Sequence, residues 1–355
     1  TDHLGRGSPL HAYRIETEKL EAEITASIPM FSNRDSQTRQ MIPVPRGNFA
    51  ATTFTITRRN FTGDLAFIAK NLPAGVTMTA PKAPSNFNSV PILFSAKADA
   101  PLSKTLSQFD IIHRKPDSNQ TTTGKYRHRV DLVYGPPNNR TYYEGTYDVL
   151  PVAVVEPVPF RVKLHTPSTP IVRGGSINLK VEVLRDANFT KDVVVKILSK
   201  PPGIGARSNI KIAGKDTLGY YPLTANGGTP IGEWEIGVQG ESAANGGGNM
   251  LAASEFIKLK VEEPYLTMKI NMAAVERGQQ GEMVCDLDIT RPFDGLAKAE
   301  LKGLPPFSLT EQVEFDANTS QIRFPINTED QARAGLTKNL CCFVRVPFSC
   351  TLATH

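Results

Sequence analysis

The stretch GGSINLKVEV, residues 174–183, sets Ile177, Leu179, Val181 and Val183 at every second position, with Asn178, Lys180 and Glu182 between them. A period of two sends apolar and polar side chains to opposite faces, the pattern of an antiparallel strand with one face on a core and the other in water. The pattern recurs in altered form. Met283, Cys285, Leu287 and Ile289 take the same inward parity later in the chain, and Phe54 and Ile56 fall opposite Val181 and Val183 nearer its start.

Each copy opens on an Arg-Gly pair and closes on a proline turn: KNLPAGVTM (70–78), SKPPGIGA (199–206) and KGLPPFSL (302–309). From Gly47, Gly174 and Gly278 to the turn proline is 26, 27 and 27 residues, and to the central Phe61, Phe189 and Phe293 it is 14, 15 and 15. Spacings that agree within one residue mark a repeated unit of strand, short loop and second strand, such as DVVVKILS at 192–199. Proline then blocks further ladder pairing, and glycine permits a positive φ.

Two similar joints bound the units. VVEPVPF (154–160) and VEEPYL (261–266) each end a strand in an acid and a proline, and Pro157 and Pro264 lie 107 residues apart. One antiparallel sandwich of about seven short strands needs roughly 100 residues. The expectation is therefore an all-β chain of tandem immunoglobulin-like antiparallel β-sandwiches at 39–156, 157–263 and 264–355, with residues 1–38 left ahead of them. The single Trp234 comes late in its unit and no tyrosine corner is evident, so the expectation is of the broad sandwich class. Joints this short, each holding a proline, predict restricted swivelling and a stiff short rod. The 355 residues, with 27 Gly and 27 Pro, suit several turn-rich domains and little helix.

Function classes fall away by motif. No run of 18 or more apolar residues indicates a membrane helix. The opening TDHLGRGSPLHAYRIETEKLEAEI has none of the parts of a signal peptide and reads as a mature or internal segment of a longer secreted protein. His3, His11, His113, His128, His165 and His355 are scattered, without HExxH spacing, and no GxSxG elbow, phosphate-cradling loop or dinucleotide fingerprint is present. NGGGN (245–249) reads as a hairpin tip. Asp286 and Asp288 share one strand face, which suits a solvated sheet better than calcium, a cation that needs several more oxygens. No enzyme activity, metal or cofactor is expected.

Two constellations remain. Residues 39–156 carry 14 Lys/Arg against 8 Asp/Glu. His113, Arg114 and Lys115 face Lys125, Arg127 and Arg129 across a polar loop, either as a solvated strand edge or as a basic, tyrosine-bearing patch for an anionic polysaccharide. Nucleic acid is not expected, because no recognition fold accompanies the charges. Cys285, Cys341, Cys342 and Cys350 all fall in the third unit. Cys285 has core parity, and Cys342 shares parity with Leu340, Val344 and Val346, so the two can meet across the sandwich as a disulfide or as buried thiols.

The phrases HLGRGSPLHAYRI (3–15), IPVPRGN (42–48), NLPAGVTM, GGSINLKVEV, YYPLTANG, AAVERGQ and RPFDG cover nearly the whole chain. Together they resemble large extracytoplasmic proteins of planctomycete-type bacteria, in which a pre-peptidase C-terminal-like domain precedes tandem sandwich modules. The resemblance implies that residues 1–38 are the end of such a domain and a linker. It also implies a cell-surface, periplasmic or secreted location within a longer polypeptide, and it brings no catalytic signature. The function expected is a non-enzymatic structural or adhesive segment, a spacer or assembling unit of a fibre or surface layer. Its partners would be other copies of itself, a cell-surface protein or an anionic polysaccharide. The alternative is a glycan- or protein-binding accessory module of a larger secreted hydrolase.

Overall fold

A computed structural model describes residues 16–17, 20–28, 41–115, 119–138 and 140–347, and among these every regular element is a strand. The chain divides into two compact units, Thr1–Val158 and Pro159–His355.

The first unit holds β1 (Glu23–Ser27), β2 (Ile42–Pro45), β3 (Phe49–Arg59), β4 (Ala66–Lys70), β5 (Val76–Thr79), β6 (Ser89–Ala96), β7 (Lys104–Arg114), β8 (Thr121–Tyr126), β9 (His128–Gly135), β10 (Arg140–Tyr147) and β11 (Leu150–Val155). One sheet runs β2-β11-β7-β8-β1-β3-β6-β5, with β4 on β7, and β9 and β10 form a two-stranded sheet of their own. The core gathers Phe54, Phe94, Phe109 and Tyr126, all fully buried. The Phe54 ring meets Phe109 edge-on at 5.3 Å and lies 5.4 Å from Tyr126.

β1 corrects the expected start of this sandwich. Glu23–Ser27 lies in the stretch assigned to a preceding domain and linker, yet it pairs antiparallel with β3 over five residues and parallel with β8. Its Ile24 and Ala26 are buried. The reason is spacing. Ala26 stands opposite Ile56, as Val162 stands opposite Val183 and Met268 opposite Leu287 in the later copies. From these residues to the Arg-Gly glycine is 21 residues in the first copy but 12 and 10 in the others. The extra residues moved β1 out of the repeat's window.

The second unit begins with β12 (Phe160–Leu164), β13 (Ile171–Val172), β14 (Ser176–Arg185), β15 (Val193–Ile197), β16 (Ile204–Ala206), β17 (Ile210–Ile212), β18 (Leu218–Ala225), β19 (Gly232–Ile236), β20 (Val238–Ala243), β21 (Asn249–Ala253) and β22 (Ile257–Glu262). Their sheets run β12-β14-β18-β16, β13-β22-β19 and β17-β15-β20-β21. It continues with β23 (Leu266–Ile270), β24 (Gln280–Ile289), β25 (Ala297–Lys302), β26 (Ser308–Thr310), β27 (Val313–Phe315), β28 (Gln321–Thr328) and β29 (Cys341–Arg345), in sheets β23-β24-β28-β26 and β27-β25-β29. Among the described residues no ladder joins a strand of 160–262 to one of 266–345. Leu179, Val181 and Val183 are buried on β14, and Met283, Cys285 and Leu287 on β24, which is the face the alternation requires.

The repeat extends to the close turn. Gly75 and Gly203, two residues after the turn proline, take φ of 78° and 81°, and the third copy places Phe307 there at 63°. A bulky residue in the left-handed region is rare, because its Cβ crowds the backbone.

Candidate functional site

The basic row is built by alternation. Lys125, Arg127 and Arg129 are exposed, while Tyr126 and His128 between them are buried. Three cations thus share an outward side at roughly 7 Å intervals. Arg129 pairs with Glu144 at 2.9 Å, and Lys125 stands opposite Asp110 in the β7–β8 register. Arg114 and Lys115 are exposed too, but Arg114 pairs with Thr121, four residues along β8 from Lys125. The expected patch is therefore a row of three cations with a separate pair at the loop end.

Two expected members belong to the core instead. His113 is buried, with Nδ1 2.9 Å from the Asp64 carbonyl oxygen and its ring 5.0 Å from that of Phe61. Its inward parity on β7 decides this, since Phe109 and Ile111 share it and are buried. Tyr126 is fully buried against Phe54 and Phe109, and burial pushes its hydroxyl far above the usual tyrosine range. His128, beside it, is also buried, and desolvation lowers its pKa below the ordinary histidine value.

The sequence reading missed the hairpin that continues the basic row. Among the described residues β9 and β10 pair with each other and with no strand of the sandwich sheet. Along them Leu132, Val133, Tyr142, Tyr143 and Tyr147 are all exposed. The Tyr142 hydroxyl donates to the Pro136 carbonyl at 2.9 Å, which holds its ring near the turn. An isolated two-stranded hairpin is marginal in water, and each exposed tyrosine adds apolar surface that its own two strands leave uncovered. The available signal was VDLVYGPPNNRTYYEGTY (130–147), two β-rich runs around a Pro-Pro-Asn-Asn turn.

Within the second unit the VEEPYL joint is fastened from both sides. Arg291 Nη1 donates to Glu262 Oε2 at 2.9 Å and to the Glu263 carbonyl at 3.0 Å, and its guanidinium lies 4.4 Å over the Tyr265 ring. From the preceding sandwich Arg173 reaches Glu263 at 2.8 Å and the Thr229 carbonyl at 2.7 Å. Thr290 Oγ1 donates to the Pro264 carbonyl at 3.0 Å. Lys260 and the partial burial of Glu262 act in opposite senses on that carboxyl. Lys260 and Arg291 prevail and hold its pKa below the usual glutamate range.

In the third repeat Cys285 on β24 and Cys342 on β29 are free thiols, Cys285 within one core cluster and Cys342 packed against it. Burial raises the pKa of both, Cys342 to about 12. Cys341 is exposed, and Cys350 lies outside the described residues. Asp286 is held by neighbouring side-chain amides. It accepts from Gln321 and Asn271 at 2.9 Å each, and these bonds hold its carboxyl below the usual range. No group of three potential metal ligands occurs among the described residues.

No protein-family profile matches the chain, and no curated protein matches it. Among solved structures it is similar to the adhesin FdeC of Escherichia coli, at 12% identity over 94% of each chain with a TM-score of 0.19. It is similar to a Porphyromonas gingivalis protein of unknown function at 9% identity, over 66% of this chain and 99% of that one, TM-score 0.21. It is also similar to fibronectin(III)-like modules of Clostridium thermocellum CbhA, at 12% identity over 63% of this chain and 90% of that one, TM-score 0.19. Likeness at these TM-scores carries no argument about function.

Proposed function

We propose that the chain is a non-enzymatic adhesive and structural segment acting outside a bacterial cell, within a surface protein of the kind its sequence resembles. The observation that carries this reading is the β9–β10 hairpin, which presents Leu132, Val133, Tyr142, Tyr143 and Tyr147 to solvent outside the sandwich sheet. Tyrosine supplies large, rigid contact area with a polar tip, which suits recognition of another surface. The fastened joint at Glu262–Tyr265 supports the spacer part of the role, since it limits motion between consecutive sandwiches of the second unit. The test is retention of purified protein on envelopes of the producing bacterium. Serine at Tyr142, Tyr143 and Tyr147 together should abolish retention with the strand content unchanged by circular dichroism. Retention equal to wild type would sink the adhesive reading.

The exposed row Lys125, Arg127 and Arg129 favours a second reading, in which the unit holds an anionic polysaccharide as an accessory module. Glutamate at all three positions should then release the protein from an acidic glycan column at lower salt, because attraction between exposed charges is screened within about 8 Å at physiological ionic strength. An unchanged elution position would reduce the row to a solvated edge.

A further inference from the structure

The three copies bring one pair of side chains to the same place. Seven residues after the Arg-Gly glycine stand Phe54, Val181 and Cys285. Four residues before the turn proline stand Ala69, Ile197 and Leu301, whose partners on the neighbouring strand are Phe109, Val238 and Cys342. The first copy thus fills the position with a contacting aromatic pair, the second with two fully buried valines, and the third with two cysteines of one core cluster. Nothing in the packing demands cysteine here, since valine serves in the sister copy.

The third copy also differs in how its edge is closed. In the first two, the segment ahead of the Arg-Gly pair runs parallel to a late strand: β2 with β11 and β13 with β22. Among the described residues of 266–345 the corresponding segment pairs with no strand, and β29 has a partner only in β25. Val275, which stands where Val44 and Ile171 are buried, is only half-buried. A cleft of about 800 Å³ remains at this end, lined by Ile270, Val275, Met283, Leu304, Ile326 and Leu340. The two sheets of this copy are therefore held with less packing than their sisters.

We infer that Cys285 and Cys342 are an oxidisable cross-link site that ties β24 to β29 and fastens the under-packed third sandwich. The oxidant is a low-molecular-weight disulfide. Cys342, the less buried of the two, must first lose its proton to solvent, which its raised pKa makes slow, and its thiolate then attacks the oxidant, forming a mixed disulfide and expelling one thiolate. The Cys285 thiolate then attacks Cys342 Sγ, forming the intersheet bond and expelling the second. Two protein thiols lose two electrons and two protons, and one disulfide becomes two thiols.

The 355-residue chain is incubated with oxidised glutathione, alkylated in denaturant without reductant, and digested. Peptides containing Cys285 and Cys342 should be recovered as one linked species, with Cys341 alkylated. The oxidised form should melt roughly 5–10 °C above the reduced form in the transition assigned to the second unit. The double variant Cys285→Val, Cys342→Val reproduces the second copy's pair. It should fold, form no bridge and melt identically with and without reductant. Full alkylation of both residues, a stable glutathione adduct at Cys342, or a link from Cys342 to Cys341 or Cys350 would overturn the site. Equal melting of bridged and reduced protein would overturn its fastening role.

Discussion

Arg291→Ala removes three interactions from one joint, and the structure sets the size of the loss. The ion pair to Glu262 joins side chains 38% and 15% exposed, and Lys260 remains to partner the carboxylate, so this part is worth about 0.5–1 kcal/mol. The bond to the Glu263 carbonyl has a charged donor on an exposed acceptor and contributes about 1 kcal/mol. The contact with Tyr265 adds about 0.5–1 kcal/mol. These share one guanidinium and do not add fully, so the expected destabilisation is about 2 kcal/mol. Trp234, the one tryptophan, lies on β19 and reports the preceding sandwich in urea, while circular dichroism reports all the strands. The variant should lower the urea midpoint by both probes at pH 7. Glu262 has a depressed folded pKa, so its contribution is present above the unfolded value and is lost as pH falls through the folded one. The gap between variant and wild type should accordingly narrow in acid. A loss under about 0.5 kcal/mol at pH 7 would refute the claim that Arg291 fastens the joint.

Gly124→Ala tests the place of β1, since an added Cβ would stand 2.2 Å from the Ile24 carbonyl oxygen. Backbone cannot yield cheaply there, so the variant should destabilise the first unit by about 2–3 kcal/mol in chemical denaturation, and a neutral result would detach β1 from β8. His128 is buried with a lowered pKa, so the unfolded chain takes up its proton first. The first unit should lose stability as pH falls through about 6.5 toward the lower folded value, and His128→Phe should flatten that slope in thermal melts. An unchanged slope would assign the acid sensitivity to other groups.

The sheet faces were legible because a half-buried strand writes its burial at every second residue, as Leu179, Val181 and Val183 show. The same alternation gave Cys285 and Cys342 their inward parity, and Cys285 lies in a core cluster against which Cys342 packs. The repeat's arithmetic failed where length changed. β1 lay beyond an extra stretch, and its pairing with β8 spans about 100 residues of sequence that no local period records. His113 and Tyr126 misled for a different reason. Charge clusters in sequence, but a strand turns alternate members inward, so HRK and KYRHR each divide between core and solvent. The hairpin's aromatics carry β propensity whether buried or exposed, so composition alone gave them no side.

The adhesive account is tested most directly by hydrogen exchange of the whole protein, free and bound to envelopes of the producing bacterium. Backbone amides of His128–Gly135 and Arg140–Tyr147 belong to a sheet that, among the described residues, pairs with no other strand, so in the free protein they should exchange faster than those of β3 and β14. On binding, the account predicts strong slowing confined to these two strands and the adjoining Lys125–Arg129 row. Slowing that appears elsewhere while the hairpin exchanges as in free protein would contradict it.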